Sequence, residues 1–130
     1  MWPADRRGFS LLEAVIAMAV VSLAAVAALA ALGAELRSAR LARETYTSAA
    51  LAEYRLETVR LLPAEQLRLL PDSVEEGRFA PPFDDFAWSV DVRPVAGVEA
   101  LYQADVSVTG PEGQSMLSTR LYRPDLPPLP

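Results

Sequence analysis

The chain has 130 residues, 52% of them apolar, with a net charge of −5 and neither His nor Cys. One domain of ordinary size fits that length, while disulfides, thiolate or imidazole metal sites and a histidine general base are excluded. All 12 basic residues are Arg, and residues 64–130 hold 5 Arg against 11 Asp and Glu, an excess of six acids that counts against nucleic-acid binding.

The first eight residues are polar and include Arg6, Arg7 and Gly8. Phe9-Ser10-Leu11-Leu12-Glu13 follows, and then Ala14–Ala34 with Ser22 as its one obvious polar side chain. This block exceeds the roughly 20 residues that cross a bilayer as a helix, and its many alanines favour helix. Arg6 and Arg7 predict a cytoplasmic leader and an external C-terminal part. Arg37, Arg40 and Arg43 oppose that orientation, and Glu35 and Glu44 partly offset them. Glu13 does not suit a plain anchor: a carboxylate in hydrocarbon costs roughly 2.5–3.5 kcal/mol, which marks it as a functional candidate.

The run Arg7-Gly8-Phe9-Ser10-Leu11-Leu12-Glu13 resembles the class III signal of type IV pilins and type II secretion pseudopilins. The resemblance implies that a prepilin peptidase cuts between Gly8 and Phe9 and that Phe9 is N-methylated. It also implies that Glu13 meets the N-terminal amine of a neighbouring subunit. Such a pair would relieve two desolvation costs and set the register between helices. An ordinary secretory signal cleaved near Ala28-Leu29-Ala30 is the competing reading. It would place Glu13 inside an apolar run longer than the usual 7–15 residues.

Beyond the span the helical spacing continues through Leu32, Leu36, Ala39, Tyr46, Ala49, Leu56 and Val59, with Arg37, Arg40, Glu44, Glu53, Glu57 and Arg60 on the other faces. Neither Pro nor Gly interrupts residues 35–62, and Pro63 stops the helix. Ala52-Glu53, Leu56-Glu57 and Arg60 resemble the run that closes the long helix of I-class minor pseudopilins and V-class minor pilins.

After Pro63, Ala64–Leu70 predicts a short helical turn and Pro71–Asp85 a loop. Phe86, Trp88, Val90 and Val92 alternate on one face of a strand, as do Tyr102, Ala104, Val106 and Val108. Gly110-Pro111-Glu112-Gly113 is a turn, and Gln114–Tyr122 returns with Leu117 and Leu121 inward. A sheet this small needs the helix to cover its apolar face. Asp72, Glu75, Glu76, Asp84 and Asp85 form an acidic cluster with no EF-hand spacing and with Pro81-Pro82 between its members, which reads as a solvated loop. Trp88 reads as a core aromatic, and the Pro-rich tail as an extended terminus.

The expected fold is α+β, of the type IV pilin kind: one long helix, half transmembrane and half amphipathic, on an antiparallel sheet of three to four strands. The expected divisions are a leader at 1–8, a transmembrane helix at 9–34, its amphipathic continuation at 35–62, a head at 63–123 and a tail at 124–130. The resemblance implies a minor pseudopilin of type II secretion, at the pseudopilus tip, with a V-class minor pilin of a type IV pilus as the alternative. Implied partners are the prepilin peptidase, the inner-membrane assembly platform, and J-, K-, H- and G-class pseudopilins. The implied location is the inner membrane with a periplasmic head. No catalytic constellation, metal site or cofactor is expected, because no His or Lys is present to activate a nucleophile.

Overall fold

The computed structural model of the chain describes Gly8 and residues 10–124. Arg6, Arg7, Phe9 and tail residues 125–130 lie outside the described residues. Helix α1 runs Leu11–Arg60. Short helices α2 (Ala64–Arg68) and α3 (Asp72–Glu75) follow, and then strands β1 (Glu76–Arg78), β2 (Ala87–Pro94), β3 (Leu101–Thr109) and β4 (Gln114–Tyr122). The chain divides into two units, residues 1–40 and 41–130.

In the first unit α1 is apolar on all sides over residues 14–34, and bare. Leu11 and Leu12 are exposed, as are Met18, Leu23, Leu29 and Leu36. A helix apolar all round is ordinarily buried or in a membrane.

In the second unit the strands pair antiparallel in the order β1-β2-β3-β4, a meander on which residues 41–60 of α1 pack. The core joins Ala52, Leu56 and Val59 of α1, Leu67 of α2, Phe86, Val90 of β2, Tyr102, Ala104, Val106 and Val108 of β3, and Leu121 of β4. Strict alternation along β3 puts all four of its expected inward residues in that core. Ala52 is fully buried, and its lack of side-chain bulk lets the helix approach the sheet closely.

Polar contacts fix the helix on the β3–β4 hairpin. Ser48 Oγ lies 2.6 Å from Ser115 Oγ, and Glu44 Oε1 accepts a 2.6 Å hydrogen bond from the Glu112 backbone N–H in the turn. Gly110 leaves room for both elements, since a Cβ there would stand 2.5 Å from Phe86 Cε1 and 2.8 Å from Glu44 Oε1. At the other end of this helical segment the Arg123 guanidinium donates to the carbonyls of Arg60 and Leu62, while its own N–H bonds Ala100 O at 2.7 Å. A cation on the last carbonyls satisfies orphan acceptors and suits the helix dipole.

Three expectations need correction. The stripe expected through Tyr46 and Ala49 is displaced: Tyr46 is 80% exposed and Ala49 half-buried, whereas Ser48 and Ala52 are buried with Leu56 and Val59. Three- and four-residue spacing of apolar side chains leads through Tyr46 and Ala49, but close approach to the hairpin selects Ser48 and Ala52. Glu44, expected on the open surface, binds the turn instead. Pro71–Asp85 is not wholly a loop, since it contains α3 and β1. No β-branched or aromatic residue marks the three-residue strand; pairing with β2 creates it.

Candidate functional site

Ser10 is the N-cap of α1. Its Oγ accepts a 3.2 Å hydrogen bond from the Glu13 N–H, and its carbonyl accepts the first helical bond from Ala14 N at 3.1 Å. Ser10 with Glu13 three residues on has the spacing of a capping box, and Glu13 stands as the acid of the first turn, where the helix dipole favours it. This local role of Ser10 was legible in the S-x-x-E spacing and was missed. The Glu13 carboxylate is exposed and, among the described residues, has no hydrogen-bond or ion-pair partner. No described residue of this chain supplies it with a counter-charge.

Gly8 precedes the helix. A Cβ built at this residue meets nothing within 4 Å, and its φ lies outside the left-handed region. The fold of the described residues thus places no demand for glycine at position 8. The expected cleavage pair cannot be seen whole, because Phe9 lies outside the described residues, as do the leader cations Arg6 and Arg7.

C-terminal to this segment, α1 is the one helix among the described residues long and apolar enough to cross a membrane, and none of its most apolar stretch is buried. This fits a single-pass anchor. A signal sequence near the N-terminus would meet the same length and composition test.

The head offers two polar arrays away from the core. On the outer face of the sheet, Asp91 and Asp105 are cross-strand partners in β2 and β3. Like charges directly opposite repel, and Arg93 bridges them, with Nε 2.9 Å from Asp91 Oδ2 and Nη2 2.7 Å from Asp105 Oδ2. Ser118 Oγ and Gln103 Nε2 also donate to Asp105. The hydrogen bond from Ser118, then those from Arg93 and Gln103, hold the Asp105 carboxyl below its usual pKa.

The second array lies where α1 meets β1 and β2. The Arg55 guanidinium carbon sits 3.3 Å from the centroid of the Trp88 ring and 5.7 Å from that of Phe79, whose ring meets Trp88 edge-on at 4.8 Å. Trp88 Nε1 donates to Val74 O at 3.3 Å, so the indole is oriented by α3 as well as by its strand. Trp88 is half-buried against the core, in partial agreement with its expected place, but it also forms a platform for a cation.

Among the described residues no three acidic side chains come together where a metal ion could be held. The acids expected in one loop are distributed over α3, β1 and the turn before β2.

Residues 3–29 match the family model of the prokaryotic N-terminal methylation motif, the prepilin signal of type IV pilin-like proteins. The match covers the N-terminal segment, including Gly8, Ser10 and Glu13, and none of the head. No curated protein and no solved structure matches the chain.

Proposed function

We propose that this chain is a minor pseudopilin of type II secretion, a structural subunit processed by the prepilin peptidase and assembled at the tip of a short filament. One observation carries the reading: a prepilin methylation motif heads a helix whose apolar surface is left bare over residues 11–40. A helix of this kind needs lipid before assembly and neighbouring helices after it. The α+β head, with four antiparallel strands on the second part of the helix, is consistent with the type IV pilin fold. Type IV pilin-like proteins are structural, which supports an assembly role for this chain.

In this reading residues 1–8 are the leader, Arg6 and Arg7 keep it cytoplasmic, cleavage after Gly8 frees the Phe9 amine, and the prepilin peptidase then transfers a methyl group to that amine from a separate methyl donor. Glu13 then accepts the new amine of an adjacent subunit. Two observations support these roles: nothing among the described residues requires glycine at 8, and none of them partners the Glu13 carboxylate. The head would face the periplasm from the inner membrane. The J-, K- and H-class subunits and the G-class major pseudopilin would be its neighbours.

Crosslinked co-purification from the native host tests this, with the mature N-terminus and the partners read by mass spectrometry. A methylated Phe9 start together with other pseudopilins is the expected result. A major pilin among the partners would transfer the role to a V-class minor pilin of a type IV pilus. An unprocessed start, or a start near Leu32, would overturn both.

A further inference from the structure

Within residues 41–130, an open groove of about 580 Å³ lies between α1 and the β1–β2 end of the sheet. Tyr54, Phe79, Phe83 and Trp88 give it an aromatic lining, and Arg55 and Arg78 are its two charged residues. No carboxylate lines it, although acids outnumber Arg by 11 to 5 over residues 64–130.

The two cations differ from Arg60 and Arg93 of the same unit. Arg60 is ion-paired with Glu57, and Arg93 with Asp91 and Asp105. Arg55 and Arg78 have no carboxylate partner among the described residues. Arg78 makes one long hydrogen bond, from Nη1 to the Asp84 carbonyl at 3.4 Å, and its side chain is otherwise exposed. Arg55 Nε is buried with no hydrogen-bond partner. Burial lowers the pKa of its guanidinium. A half-buried cation stacked on an indole, with unused donors, is costly unless something anionic meets it.

We infer that this groove binds an acidic, extended segment of a partner protein, whose carboxylate is taken by Arg55 and Arg78 and whose neighbouring apolar side chain lies on Phe79 and Trp88. Charge complementarity selects the occupant: a cationic, acid-free groove on an otherwise acidic head. The chemistry of the lining refines it. A guanidinium is a planar fork that matches a carboxylate with two N–H groups, and partial desolvation strengthens that bond over its value in water. Flat aromatic walls take leucine- or proline-bearing extended chain rather than a bare inorganic anion. The groove's volume is in the range that holds a few residues of such a chain. Its lining residues, 51–88, are none of those in the N-terminal motif, so the proposal does not depend on filament membership.

The test uses the full chain in neutral detergent micelles. With Trp2→Phe, Trp88 becomes the only tryptophan and reports on its own ring. The probes are an acetylated hexapeptide alternating glutamate with leucine and its glutamine counterpart. The acidic peptide is expected to change Trp88 emission saturably, with an affinity that falls as salt rises. The glutamine peptide is expected to bind at least about tenfold more weakly, a difference of about 1.4 kcal/mol.

Arg78→Gln, at an exposed side chain outside the core, is expected to weaken the acidic peptide about tenfold with the thermal midpoint unchanged. Arg55→Gln should do the same, with Arg78→Gln deciding if Arg55→Gln unfolds. Equal binding of the two peptides, no response to either, or indifference to Arg78→Gln would overturn the inference. A response that emerges only after residues 125–130 are deleted would assign the groove to the chain's own tail. Self-association abolished by Arg78→Gln would assign it to a second copy. Either result overturns a partner segment.

Discussion

Gly77 stands opposite Trp88 in the β1–β2 ladder, and a Cβ on residue 77 would lie 2.4 Å from Trp88 Cζ2 and 2.7 Å from Cη2. The edge strand and the indole therefore share one space. Gly77→Ala should force either β1 or the ring away, at about 1–3 kcal/mol, the usual range for overpacking. Urea unfolding followed by tryptophan emission in the Trp2→Phe background measures it. A variant as stable as its parent, with unshifted emission, would show that the ring has room to spare.

Ala100 adopts φ +62°, a left-handed conformation that costs an L-residue roughly 1–2 kcal/mol. Its carbonyl accepts from Arg123 N, so the turn is held in place from the end of β4. Ala100→Gly removes the steric cost and adds roughly 0.5–1 kcal/mol of backbone freedom in the unfolded chain. The expected net gain is about 0.5 kcal/mol, visible as a higher urea midpoint at unchanged slope. A lower midpoint would contradict the strain assigned to this residue.

Glu44 joins the helix to the β3–β4 turn through the Glu112 N–H. Glu44→Ala should cost about 1 kcal/mol, the net worth of an ordinary hydrogen bond. Gly110→Ala should cost more, because its Cβ would meet both Phe86 and Glu44. Denaturant midpoints of the two variants give the order directly. A Glu44→Ala loss larger than that of Gly110→Ala would reverse the reading.

Asp105 makes stability depend on acid. Its folded pKa is depressed by Ser118, Arg93 and Gln103, so the unfolded chain binds its proton more readily. The contribution is complete above the ordinary aspartate range, about pH 4, and is lost as pH falls through the depressed value. Urea midpoints measured from pH 7 downward should therefore decline in acid for the parent. They should decline less steeply for Asp105→Asn. Parallel curves would mean that Asp105 does not feel these partners.

Ser10 and Glu13 separate a local role from an assembly role. Ser10→Ala removes the cap acceptor and should loosen the first turn by about 1 kcal/mol, leaving filament formation largely intact. Glu13→Gln keeps a first-turn acceptor and removes the charge, so on the proposed amine pairing it should impair assembly while leaving the helix formed. Circular dichroism and a filament or secretion assay read the two effects. Normal assembly by Glu13→Gln would sink the amine pairing.

Most of the order of elements in this chain is local and was readable from the sequence. The long helix is set by continuous alanine-rich helix formers, by Ser10 at its start and by Pro63 beyond its end. Residues 101–109 were placed without error because period-two alternation and the turn at Gly110–Gly113 define a strand by themselves. The apolar run with Glu13 inside it was likewise plain, since a charge among aliphatic residues needs no fold to be noticed.

What tertiary structure decided is whatever depends on a partner far along the chain. The buried face of α1 passes through Ser48 and Ala52 because the β3–β4 hairpin approaches there, and hydrophobicity alone favoured Tyr46. Strand β1 exists because β2 offers it a ladder and Gly77 leaves space for Trp88; Glu-Gly-Arg has no strand preference of its own. Arg55 and Trp88 are 33 residues apart, yet they meet at 3.3 Å, and no periodic pattern carries that contact. Local pattern records which face of each element is apolar. Only packing determines which polar groups are drawn in with it and which are left without a counter-charge.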